Sequence, residues 1–76
     1  MKELLEYIAR ALVDYPEDVV VREVEDEQGL VLELHVRDED MGKVIGKQGR
    51  IAKSIRAVMK AAASRENTRV SVEIMQ

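Results

Sequence analysis

The stretch Met41-Gly42-Lys43-Val44-Ile45-Gly46-Lys47-Gln48-Gly49-Arg50 constrains this chain more than any other. Apolar Val44 and Ile45 close a short helical run, and a longer amphipathic run opens at Arg50. Only Gly46-Lys47-Gln48-Gly49 lie between them to turn the backbone. Two glycines three apart permit a sharp turn, because a residue without Cβ enters left-handed conformations at little steric cost. They also leave main-chain N–H groups uncovered at the positive end of the second helix, with Lys47 and Arg50 alongside. Such a surface suits a phosphate. The spacing is not that of a nucleotide-binding P-loop, which is longer and continues into Gly-Lys-Ser/Thr.

Charge supports an anionic partner once its distribution is considered. The net charge is −3. Residues 1–40 carry 13 acidic and 4 basic side chains, whereas residues 41–76 carry 2 acidic and 8 basic ones. From Met41 to Arg65 stand Lys43, Lys47, Arg50, Lys53, Arg56, Lys60 and Arg65, with no acidic residue among them. A positive face on an acidic body steers an anion to one place. The plainer alternative is a solvated helix face that happens to be rich in lysine and arginine.

The rest of the chain supplies a frame for the turn. Leu4, Leu5, Ile8, Ala11 and Leu12 fall on one stripe of a 3.6-residue period, predicting a helix over 2–15 that Pro16 ends. Residues 19–25 are rich in β-branched side chains, and Leu30 to Arg37 alternates apolar and polar. The short turn Asp26-Glu27-Gln28-Gly29 makes them an antiparallel hairpin. Asp38 is placed to cap a two-turn helix, with Glu39 and Asp40 in its first turn. After the glycine turn a helix over 50–64 buries Ile51, Ile55, Val58, Met59 and Ala62, and Val70, Val72 and Ile74 mark a last strand. The order is α-β-β-α-α-β. Because crossovers between parallel strands are right-handed, the second and third strands become parallel neighbours. The expected fold class is α+β, with three helices on one face of a three-stranded mixed sheet. At 76 residues the chain is expected to form one domain, 1–76, whose core is marginal because so short a chain buries only about 60 % of its unfolded surface.

An α-β-β-α-α-β order with Val44-Ile45-Gly46-Lys47-Gln48-Gly49 ahead of a helix resembles the type II KH domain, an RNA-binding module usual in bacteria. The resemblance covers the whole chain, whose length is similar to that of small stand-alone bacterial KH proteins. It implies that Gly46, Lys47, Gln48 and Gly49 cradle the backbone of single-stranded RNA. By the same resemblance Val44 and Ile45 support an apolar groove for bases, Lys43, Arg50 and Lys53 neighbour phosphates, and the strand Leu30–Arg37 forms the groove's far wall, with His35 and Arg37 on it. It further implies a homodimer, or a heterodimer with a larger KH-containing RNA-binding protein, and a role as RNA chaperone or post-transcriptional regulator. One departure is that the family's apolar position three residues after the second glycine falls on Ala52.

Other function classes find little support. One histidine and no cysteine leave no catalytic constellation and no thiolate metal site, and the acidic run 38–40 is accounted for by a helix start. No metal, no cofactor and no enzymatic activity are expected. No 18-residue apolar run and no signal-peptide pattern occur, so a cytoplasmic protein without membrane contact is expected. No aromatic follows Met41, which rules out ring stacking of bases from that half of the chain. Two readings remain: an RNA-binding module acting through the loop, and a protein-interaction module that keeps the frame for dimerisation, with RNA contact incidental.

Overall fold

The computed structural model describes residues 1–75. Six principal elements follow the expected order: α1 (Lys2–Leu12), β1 (Val20–Asp26), β2 (Gly29–His35), α2 (Met41–Ile45), α3 (Arg50–Arg65) and β3 (Val70–Met75). Single turns of 3₁₀ helix at Pro16–Asp18 and Asp38–Asp40, and a turn at Lys47–Gly49 that passes through left-handed conformations, join them. β2 is central. It pairs antiparallel with β1, Val21 opposite Leu34, and parallel with β3, Leu34 opposite Ile74. The hairpin turn is held by the Gln28 N–H donating to Asp26 Oδ1 at 2.8 Å.

The core lies between one sheet face and the three helices. Leu5, Leu32, Leu34, Val44 and Met59 are wholly buried in it, joined by Val21, Ile55 and Val72. Alternation in the strands therefore turns Val20, Glu33 and His35 to the opposite, open face.

Three local expectations are corrected. Helix α1 stops at Leu12 rather than at Tyr15: Val13 is already extended and the chain bends at Asp14 before Pro16. On α3 the buried stripe is Ala52, Ile55, Met59 and Ala63, whereas Val58 is 48 % exposed and Ile51 and Ala62 are only partly covered. The seam has alanines at its ends and Ile55 and Met59 between them. Ala52, the departure noted in the sequence, is thus a core position.

The third correction concerns the acidic run. Neither Asp38 nor Asp40 caps a helix with its side chain. Asp40 is instead completely buried, and its two carboxylate oxygens accept the main-chain N–H groups of Asp14 and Tyr15 at 3.1 and 3.0 Å. Beyond the end of α1 those two amides have left the helix ladder and need another acceptor. A carboxylate with both oxygens engaged ties the end of α1 to the start of α2. Alongside, Arg37 Nε donates to Asp18 at 2.7 Å and its guanidinium lies 3.8 Å over the Tyr15 ring.

Candidate nucleic-acid interface

The glycine turn is anchored on both sides. Before it, Val44 is wholly buried; after it, Ile51 packs against the core. Gly46 adopts φ 76° and ψ 173°, and a Cβ there would come within 2.6 Å of Ile51 Cγ1. Both backbone shape and space demand glycine at that position. Gly49 is left-handed at φ 74°, ψ 17°, with open space where its Cβ would be. Gln48 is left-handed as well, at φ 58°, ψ 24°. A non-glycine residue held there carries strain that the neighbouring anchors must maintain. Its side-chain carbonyl accepts a hydrogen bond from Arg50 Nη2 at 3.3 Å.

The main-chain donors divide into two pairs. Gly46 N–H donates to Gly42 O at 2.9 Å and Gly49 N–H to Gly46 O at 3.1 Å, so these two are satisfied internally. The N–H groups of Lys47 and Gln48 have no main-chain acceptor among the described residues, and both residues are exposed. The uncovered amides expected from the sequence are therefore two adjacent ones, at the head of the 16-residue helix α3.

The cations are sorted by the fold rather than massed. Lys47, Arg50 and Lys53 are exposed at and just after the turn. Lys43, three residues before it, is engaged elsewhere. Its Nζ lies 3.1 Å from Asp14 Oδ2 and 3.9 Å from Asp40 Oδ1, and the hydrogen bond to Asp14 raises its pKa above the ordinary lysine value. Arg56 donates from Nε to the main-chain carbonyl of Val72 on β3 at 3.2 Å. At 100° per residue, Lys53 and Lys60 fall within about 60° of Arg56, on the β3 side of α3, whereas Arg50 lies about 120° from it, opposite the buried stripe.

The strand expected to wall the groove is the central one of the sheet. β2 is hydrogen-bonded along both edges, so it offers no free edge to a ligand. His35 lies on the open sheet face, its Nε2 buried without a partner, and Arg37 is committed to Asp18 and Tyr15. The free edge beside α3 belongs to β3.

Chemically, among the described residues, the site offers two adjacent N–H donors without a main-chain acceptor, three exposed cations outside any ion pair and aliphatic surface from Ile45 and Ile51. No group of three or more potential metal-ligating side chains occurs among the described residues, and no described helix is long and apolar enough to cross a membrane.

Comparison with known proteins bears on this site. A sequence model for the KH domain of KhpA and KhpB matches residues 2–74. The RNA-binding protein KhpA of Clostridium perfringens is 67 % identical over 75 residues, which span 99 % of this chain and all of that one. RNA-binding protein KhpA of Caldanaerobacter subterraneus is 57 % identical over 75 residues, with 99 % and 100 % of the two chains covered. The protein of that name from Chlamydia pneumoniae is 50 % identical over 76 residues, covering 100 % of this chain and 97 % of its own. No solved structure matches the chain.

Proposed function

The chain belongs to the KhpA/KhpB KH-domain family, and from that premise we propose that it binds single-stranded RNA by its backbone. The unbonded N–H groups of Lys47 and Gln48 receive one phosphate, and the exposed side chains of Lys47, Arg50 and Lys53 hold that phosphate and its neighbours. Gly46 and Gly49 shape the turn, while Val44 and Ile45 fix its near end to the core. Lys43 joins the phosphate set by exchanging Asp14 for RNA. The observation that carries this reading is the pair of unused donors beside free cations, on a turn whose conformation is locked before any ligand arrives.

The protein acts without catalysis, as a single KH domain in the cytoplasm, where it serves as an RNA chaperone or post-transcriptional regulator. Without aromatic platforms, one groove holds RNA weakly. If three or four phosphates are neutralised, a single-strand slope of about 0.7 per phosphate makes affinity fall roughly 20–50-fold between 50 and 200 mM salt. Pairing two copies, or one copy with a larger KH-containing protein, raises avidity without new contacts to RNA. Leu4, Tyr7 and Val58, exposed at 36, 74 and 48 % on the mutually packed helices α1 and α3, provide apolar surface for such pairing.

The loop assignment is tested by Lys47→Asp with Gln48→Asp. Circular dichroism and sedimentation establish that fold and oligomeric state are kept, and fluorescence anisotropy with a short single-stranded RNA measures binding. Loss of binding is expected. Unaltered binding assigns the RNA site elsewhere, and a protein-interaction role then becomes the better reading.

A further inference from the structure

At the end of α3 remote from the glycine turn, the sheet runs out beyond the helices and leaves a cleft open over Leu30 and Val70. One part, of about 740 Å³, is walled by Lys60 of α3 and by Arg69; the adjoining part, of about 510 Å³, runs from Arg69 to Glu23 and Glu25 on β1. Volumes of this size accommodate a small organic ligand. The α3–β3 turn that frames the cleft is fixed by its own main chain. Asn67 N–H donates to Ser64 O at 3.1 Å, Thr68 N–H to Ala63 O at 2.9 Å, and Leu30 N–H to Arg69 O at 2.9 Å. Gly29, at φ 132°, lets that last contact form, since a Cβ there would come within 2.5 Å of Arg69 O.

Opposite charges line this cleft without meeting. Among the described residues neither Glu23 nor Glu25 forms an ion pair with Arg69. Lys60 stands at one end of the cleft, the glutamates at the other and Arg69 between them, with Leu30 and Val70 as apolar lining, which suits a ligand that is anionic at one end and rich in N–H donors at the other. A nucleotide has that character. Its phosphate faces Lys60 and Arg69, its base lies on Leu30 and Val70, and its Watson–Crick edge faces the glutamates.

Lys60 also lies on the same flank of α3 as Lys53, about 10 Å further along the helix. A strand gripped at the glycine turn and laid along that flank therefore arrives at the cleft. The geometry points to this cleft as a base-reading subsite, in which Glu23 and Glu25 select a base carrying amino donors, guanine above all, and disfavour uracil. Guanine presents N1–H and N2–H₂ side by side to a carboxylate, whereas uracil presents one N–H between two carbonyl oxygens that a carboxylate repels. This inference rests on the RNA reading above.

The test measures anisotropy of labelled eight-residue RNAs, all uracil or with one guanine placed at each position in turn, at one fixed salt concentration. The proteins are wild type, Glu23→Gln/Glu25→Gln, and the double aspartate loop variant. For wild type, guanine at one end of the bound register should tighten binding roughly tenfold, the usual worth of a good bidentate base contact. That advantage should vanish in Glu23→Gln/Glu25→Gln, with all-uracil binding kept or slightly strengthened because two negative charges are gone. Inosine at the same position, which lacks N2–H₂, should recover only part of the gain. A guanine preference that survives in Glu23→Gln/Glu25→Gln overturns the proposal, as does loop-dependent binding with no base preference; the latter leaves the RNA reading intact and makes the cleft a site for a peptide instead. Absence of binding by wild type to every RNA overturns both.

Discussion

Replacing each of three glycines by alanine separates what the chain needs from what it tolerates at the glycine turn. Gly46 sits at φ 76°, ψ 173°, a region essentially reserved for glycine, so alanine there costs about 1–3 kcal/mol in backbone strain. Its methyl group also falls 2.6 Å from Ile51 Cγ1 and 2.9 Å from Cδ1, an overpacking worth about a further 1–3 kcal/mol. Gly49 has only the left-handed backbone, with nothing within 4 Å of its Cβ position, and Gly49→Ala should cost about 1–2 kcal/mol. Gly42 lies in α2 with no positive φ and open space around it, so Gly42→Ala should stabilise by about 0.5–1 kcal/mol through the unfolded chain. Urea denaturation ranks the three. Each kcal/mol also moves the melting temperature of a domain this small by about 4–8 °C. The packing part of the Gly46 penalty can be isolated by a double-mutant cycle with Ile51→Ala, which should relieve about 1–3 kcal/mol of it and leave the backbone part. Equal losses for Gly46→Ala and Gly49→Ala, or a Gly46 penalty unchanged by Ile51→Ala, would refute the assignment of Ile51 as the neighbour that enforces glycine.

Two further perturbations probe the joint between α1 and α2. Asp40→Ala leaves the N–H groups of Asp14 and Tyr15 without an acceptor and should cost about 2–4 kcal/mol by urea denaturation; a loss below about 1 kcal/mol would show that Asp40 does not hold the joint. The bond to Asp14 raises the pKa of Lys43 in the folded protein above its ordinary 10.5, so the stabilisation is full below that value and is lost as pH rises through the raised one. The difference in urea midpoint between wild type and Lys43→Met should thus stay constant from about pH 7 to about pH 10 and close above it; a gap that closes by about pH 8 contradicts the pairing.

Much of the architecture was legible because its signals are local. The Leu30–Val36 alternation, the Asp26–Gly29 turn and the paired glycines each determine a conformation within a few residues, and the α-β-β-α-α-β order follows from them. What the sequence concealed depends on distant partners. The role of Asp40 is set by amides some 25 residues earlier, so its position at a helix start suggested a cap instead. On α3 the buried seam takes in Ala52 and Ala63 rather than Val58 and Ala62, a rotation of the helix set by its contacts with α1, α2 and β3, and hydropathy alone favours valine. Lys43 and Arg56 read as members of one basic face, yet ion pairing to Asp14 and a bond to the edge of β3 assign them structural tasks.

The central claim is that RNA is held by the unused main-chain donors of the turn. Amide chemical shifts of isotopically labelled protein, followed while a short single-stranded RNA is added, test it most directly. The Lys47 and Gln48 N–H resonances should move furthest and downfield, as donors that gain a charged acceptor do, while those of Gly46 and Gly49, already bonded within the turn, should move less. Saturable binding that leaves Lys47 and Gln48 unshifted and perturbs amides on the open sheet face would contradict it.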